Sequence, residues 1–176
     1  MTARTILINR APVLTLWATA VAERMGFDHD EALTLGKAVA GLTAQSKGRR
    51  LGIFKPVQQK VKKARARKRG EEFSVEICGR SVPVVKTTNG VRAVIKHKPI
   101  DAESVERYLE SKFGESLGAA RVAMQDLAGA FSPEELSSNA FSLYERFRPS
   151  IPEGVTGWGA KGKLDVGLLR VLASEK

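Results

Sequence analysis

Between residues 47 and 69 the chain carries 11 basic side chains and no acidic one: Lys47, Arg49, Arg50, Lys55, Lys60, Lys62, Lys63, Arg65, Arg67, Lys68 and Arg69. Charges at this density cannot be buried without partners. The stretch must lie at a surface, and a core must be assembled from the residues on either side of it. Removing these 11 from the 29 basic residues leaves 18 against 19 acidic ones, a balance of −1. The net charge of +10 is therefore local, and the rest of the chain is neutral. Hydrophobic residues at 43% of the 176 suffice for a globular core, but aromatics are only 6%, so Leu, Val, Ile and Ala must supply most of it.

Before the basic stretch the pattern is helical. A first helix is expected over 11–25, with Pro12 in its first turn and Val13, Trp17, Ala20, Val21 and Met25 on one side; Gly26 ends it. A second is expected over 29–45. Asp28 can accept from first-turn N–H groups and Glu31 follows three residues later, a capping-box variant. Leu33, Gly36, Val39, Ala40 and Thr43 share a face whose small residues invite close approach of another helix. Residues 46–50 read as a loop and 51–55 as a short apolar anchor. Pro56 opens a third helix to about 69, stopped by Gly70, whose narrow apolar stripe is Val57, Val61 and Ala64.

At residue 73 the period changes. Phe73, Val75 and Ile77 alternate with polar residues as in a strand, 78–81 is a turn, and 82–87 and 91–96 are strands around a Thr88-Asn89-Gly90 hairpin. Pro83 belongs on an edge or at a bulge. After Asp101 helices return, over 101–113, 115–130 and from the strong start Ser132-Pro133-Glu134-Glu135 to 147. A Pro/Gly loop follows over 148–162, and Asp165 caps a last helix to about 173. The expected fold class is α+β, predominantly helical: three helices, a small antiparallel β-meander, then three to four helices. Residues 1–98 form a basic helical and hairpin region. Residues 99–176 form a helical region that completes the core or offers a homodimer interface.

Several functions lack support in the sequence. The single cysteine, Cys78, allows no intramolecular disulfide and fits a reducing compartment; with no companion motif it reads as a small buried hydrophobe. No apolar run reaches the roughly 20 residues that span a bilayer. Asn9, Arg10 and Pro12 interrupt the N-terminal apolar stretch, which argues against an export leader, so the cytoplasm is the expected compartment. His29 and His97 are the only histidines and are far apart, so no metal or nucleophile constellation forms, and no catalytic residue or cofactor is assigned. Gly157 to Lys163 fits the Gly-x-x-x-x-Gly-Lys part of a phosphate loop, but Leu164 stands where Ser or Thr should hold magnesium. Glycines shaping a tight loop explain it better.

The basic stretch carries the functional expectation. Neutralising phosphates releases condensed counterions, and a helix fits the DNA major groove. On the expected third helix Lys60, Lys63 and Arg67 share one face, and Lys62, Arg65 and Arg69 an adjacent one. Such like charges repel along a helix, a cost an acidic partner relieves. The bland alternative is a solvated helix or solubilising linker.

Three helices followed by a hairpin resemble the winged helix-turn-helix fold over about residues 11–98. The resemblance implies that Lys60, Lys63 and Arg67 face the groove, and that Thr88-Asn89-Gly90 is a wing tip flanked by Lys86 and Arg92. The longer link between the second and third helices departs from that family. Leu16-Trp17-Ala18 and Gly157-Trp158-Gly159 also resemble segments of small bacterial proteins of no assigned function. The expected activity is nucleic-acid binding, DNA before RNA, by phosphate contacts of Lys47, Arg49, Arg50, Lys60, Lys62, Lys63, Arg65, Arg67, Lys68, Arg69, Lys86 and Arg92. A protein module docking an acidic partner is the alternative, and an enzyme acting on an anionic substrate the third reading.

Overall fold

In the computed structural model of the protein, the residues described are 5–50, 72–95, 98–149 and 161–175; for 44–50 and 161 only the backbone is described. Their order is β1 (Thr5–Asn9), α1 (Arg10–Arg24), α2 (His29–Arg50), β2 (Phe73–Ile77), β3 (Arg80–Thr87), β4 (Gly90–Ile95), β5 (Lys98–Pro99), α3 (Ala102–Phe113), a 3-10 turn (Gly114–Ser116), α4 (Leu117–Gly129), α5 (Pro133–Phe147), β6 (Lys161–Asp165) and α6 (Val166–Ser174). The chain is α+β and mainly helical, with two antiparallel sheets. The helix expected over 56–69 lies outside the described residues.

Helix α1 is the centre of the core. Every residue from Pro12 to Ala22 is buried, not only the side that spacing selects. No charged residue occurs in that run, and a helix apolar all round can only be stable when enclosed. Its neighbours are α2 above all, then α4, α3 and α5. Trp17 donates from Nε1 to the Ala140 carbonyl at 2.9 Å and meets the Phe147 ring edge-on at 5.3 Å, joining the N-terminal helices to α5.

The small-residue face of α2 works as its composition suggests. A Cβ built on Gly36 would collide with Thr19 Oγ1 and the Thr15 carbonyl, so α1 and α2 touch backbone to backbone there. The buried threonines at the contact bond back into their own helix, Thr15 to Ala11 at 2.9 Å and Thr19 to Thr15 at 2.8 Å. The helix begins in the expected capping box: Glu31 N–H donates to Asp28 Oδ1 at 2.8 Å, and Asp28 N–H donates to Glu31 Oε1 at 3.0 Å. It does not stop at 45. The backbone stays helical to Arg50, through the stretch expected to loop.

The meander runs β2-β3-β4-β5, all antiparallel. Cys78 (φ 52°) and Gly79 (φ 74°) make a two-residue turn, both left-handed, the geometry that matches strand twist. At the next turn Gly90 takes the positive φ (110°), and the Thr87 hydroxyl accepts from Asn89 N–H and donates to the Gly90 carbonyl. Pro83 lies one position past the last β3–β4 pair, Val84 with Ala93, where among the described residues β3 pairs with β2 alone. Helix α2 covers the outer edge of β4: Glu31 Oε2 accepts from Val91 N–H at 2.8 Å and Thr34 Oγ1 from Ala93 N–H at 3.1 Å. An open edge is thereby closed by side chains of a helix.

Three strands were not expected, the two-residue β5 and the pair β1 and β6. Thr5 to Asn9 pairs antiparallel with Lys161 to Asp165, Ile8 opposite Gly162 and Leu7 opposite Lys163. Ile6 and Ile8 point into the core and Leu7 is 64% exposed. Lys161 and Gly162 therefore belong to a strand and not to the expected loop, and Asp165 caps α6 through Gly167 N–H at 2.9 Å. Helices α3, α4 and α5 turn Val105, Leu109, Phe113, Met124, Leu127, Leu136 and Phe147 into the same core as α1. Among the described residues no helix is long and apolar enough to cross a membrane.

Candidate nucleic-acid interface

Of the basic residues expected to bind phosphate, Lys47, Arg49 and Arg50 lie on the last turns of α2, with only their backbone described. Lys60, Lys62, Lys63, Arg65, Arg67, Lys68 and Arg69 lie outside the described residues, as does Lys55. Cations suit that end of α2, because the helix dipole is negative there, while Asp30 and Glu31 occupy the positive end.

Lys86 and Arg92 do not form one surface. Lys86 pairs with Val91 and Arg92 with Val85, and consecutive residues of a strand point to opposite faces, so the two cations lie on opposite sides of the sheet. Arg92 donates to the neighbouring Val91 carbonyl at 3.0 Å. Thr88 and Asn89 are exposed at the hairpin tip, whereas Gly90 sits against the Glu31 carboxylate. The hairpin is thus tied, beside its turn, to the start of α2.

Three charged clusters among the described residues escaped the sequence reading. At the junction of four helices, His29 Nδ1 meets Glu23 Oε2 at 2.9 Å and its Nε2 lies 3.6 Å from Glu106 Oε1. Arg121 grips Glu106 with two hydrogen bonds, 2.7 and 3.1 Å, and chiefly for that reason the Glu106 carboxyl is held below the usual range, against the opposing effect of burial. Every charge there has a partner, so the cluster is a fastening. Among the described residues no group of three or more His, Cys, Asp or Glu is arranged to hold a metal ion.

The second cluster is on the α2–α3 surface. Lys37 Nζ sits 3.7 Å over the Tyr108 ring, with Lys112 at 6.0 Å from the same ring. Burial first, and Lys112 second, lower the pKa of Lys37. The tyrosine face compensates the ammonium in part. The third cluster joins the start of α1 to the end of α5. Arg10 donates from Nε to the Pro149 carbonyl at 2.9 Å, beside Arg148. Burial and then the charge of Arg148 hold the Arg10 guanidinium below its ordinary pKa. No spacing could reveal it, since its members are 139 residues apart. The one local signal was Arg10 itself, a cation at the positive end of a helix.

Cys78 is buried, and burial pushes its thiol up to about 12, which leaves no thiolate for chemistry at neutral pH. Gly162 and Lys163 stand in β6, three residues or more before α6 begins, whereas a phosphate loop needs them at a helix start. Gly162 and Lys163 therefore do not open a helix, and residues 157–160 of that motif lie outside the described residues. Comparison with protein-family models, with curated proteins and with solved structures finds no match.

Proposed function

We propose that the protein binds nucleic acid, DNA before RNA, through phosphate contacts of the basic stretch 47–69. One observation carries this reading: the whole charge excess, 11 cations without an acid, occupies that stretch, while the remainder balances at −1. Helix α2 supports it. Its first half is fastened to α1 and to the edge of β4, and its last turns carry Lys47, Arg49 and Arg50 at the start of the basic stretch. Density of charge without Asn, Ser or Thr favours phosphate over base readout. Lys37 and Lys112 would extend the positive surface back along α2.

The test is salt-dependent binding of a duplex by the full chain. With five to eight phosphate contacts, log K should fall with log salt at a slope of roughly −4.5 to −7. The variant Lys60/Lys63/Arg67→Glu should lose binding while keeping its circular dichroism spectrum. Duplex binding undiminished in that variant would overturn the assignment. Absence of duplex retention even at low salt would favour instead a module that docks an acidic protein.

A further inference from the structure

Three positive features meet where α1 begins. Arg10 is the first residue of that helix, where the macrodipole is positive and a cation is disfavoured. The Asn9 side chain makes no capping bond, and the first turn holds no acidic residue. The Arg10 side chain reaches the Pro149 carbonyl at 2.9 Å, which brings it to Arg148 at the end of α5. Neither arginine makes an ion pair among the described residues. The end of α5 explains one cation through its own dipole. It does not explain two of them against the positive end of α1.

A second and independent observation comes from Tyr144, one turn before Arg148, whose N–H donates to the Tyr144 carbonyl at 2.7 Å. Tyr144 is 1% exposed, and its hydroxyl has no hydrogen-bond partner among the described residues. A buried hydroxyl left unpaired costs about 1–3 kcal/mol, so such groups are generally satisfied. The ring is fixed between Phe141 and Phe147, so the hydroxyl cannot swing away to find a partner. Tyr144 and Arg148 stand one turn apart at the end of α5, and Arg10 reaches that same end through the Pro149 carbonyl.

We propose that Arg10, Arg148 and the Tyr144 hydroxyl form a binding site for a phosphate-type oxyanion at the N-terminal end of α1. Such an anion accepts from the phenol and from the free guanidinium N–H groups, and it neutralises the helix end. Burial raises the pKa of Tyr144, so the phenol stays protonated and serves as a donor; the exposed Glu145 acts in the same direction. Both arginines are partly exposed. The proposal does not depend on the basic stretch.

Calorimetric titration of the full chain with inorganic phosphate, at constant ionic strength in chloride, tests it. Binding should weaken at least about tenfold in Arg148→Met, in line with loss of a charge-assisted bond, and several-fold in Tyr144→Phe, which keeps the ring. It should be unchanged in Lys60/Lys63/Arg67→Glu. A second arm uses a 5′-phosphorylated dinucleotide. Tighter binding than inorganic phosphate assigns the site to a phosphoester, and weaker binding to the free ion. No heat with either ligand overturns the proposal, as does a response retained in Arg148→Met and Tyr144→Phe. Binding lost only in the charge-reversal variant transfers the anion to the basic stretch and overturns it equally.

Discussion

The two ends of α2 use the same kinds of residue for opposite purposes. At the start, polar groups are committed to the fold: Asp28 and Glu31 close the capping box, Glu31 and Thr34 take the outer N–H groups of β4, and His29 lies between Glu23 and Glu106. At the other end Lys47, Arg49 and Arg50 have no acidic residue near them in sequence through residue 69. The first end explains where the helix is, and the second what it is proposed to meet. Around His29 the charges come in opposite-sign, bonded sets, whereas the charge proposed to meet a partner comes in a run of one sign.

Substitutions along the helix can break this contrast. The largest effect is expected at Gly36. Glycine to alanine inside a helix ordinarily gains up to about 1 kcal/mol, and Gly41, whose Cβ would meet nothing within 4 Å, should show that gain. Gly36→Ala should instead destabilise by roughly 3 kcal/mol, because its Cβ meets the Thr15 carbonyl, which is backbone and cannot step aside. Urea denaturation of the pair checks the sign; two variants moving together would mean that α1 and α2 do not touch at that point.

Next comes Glu31→Ala, which strands the N–H groups of Asp28 and Val91 at once. A loss of about 2 kcal/mol is expected, with faster amide exchange at Val91 than at Arg92. A change below half of that would show that the hairpin is not held by α2. The smallest effect belongs to the far end. Lys47/Arg49/Arg50→Glu should shift stability by no more than about 0.5–1 kcal/mol, from the helix dipole alone, while weakening duplex binding. A large loss of stability would mean these cations serve the fold after all.

Local chemistry was legible in the sequence. The capping boxes at Asp28 and Ser132, the meander strands and the close face around Gly36 all depend on residues within a few positions of one another, and the structure shows them. The β1–β6 pair was not legible. Its strands lie more than 150 residues apart, and Lys161-Gly162-Lys163-Leu164-Asp165 has little intrinsic strand preference. Pairing with the Ile6 and Ile8 face supplies what propensity lacks. The end of α2 was misread because Gly48 follows Ser46 and Lys47 as a stop signal would, yet helical hydrogen bonding continues past it. The charge count of the candidate site could be read directly. The meeting of Arg10 with Arg148 could not, because α1 and α5 are brought together by tertiary contacts such as those of Trp17 with Phe147 and with the Ala140 carbonyl.

The Cys78-Gly79 turn gives this molecule a built-in clock. The sulfur is the chain's only thiol, it is packed in the core, and its proton is released only far above neutral pH while it stays there. A disulfide reagent can therefore reach a thiolate only after the first hairpin of the meander has come loose. The rate at which the native protein is labelled counts those openings, with no residue changed and no probe attached.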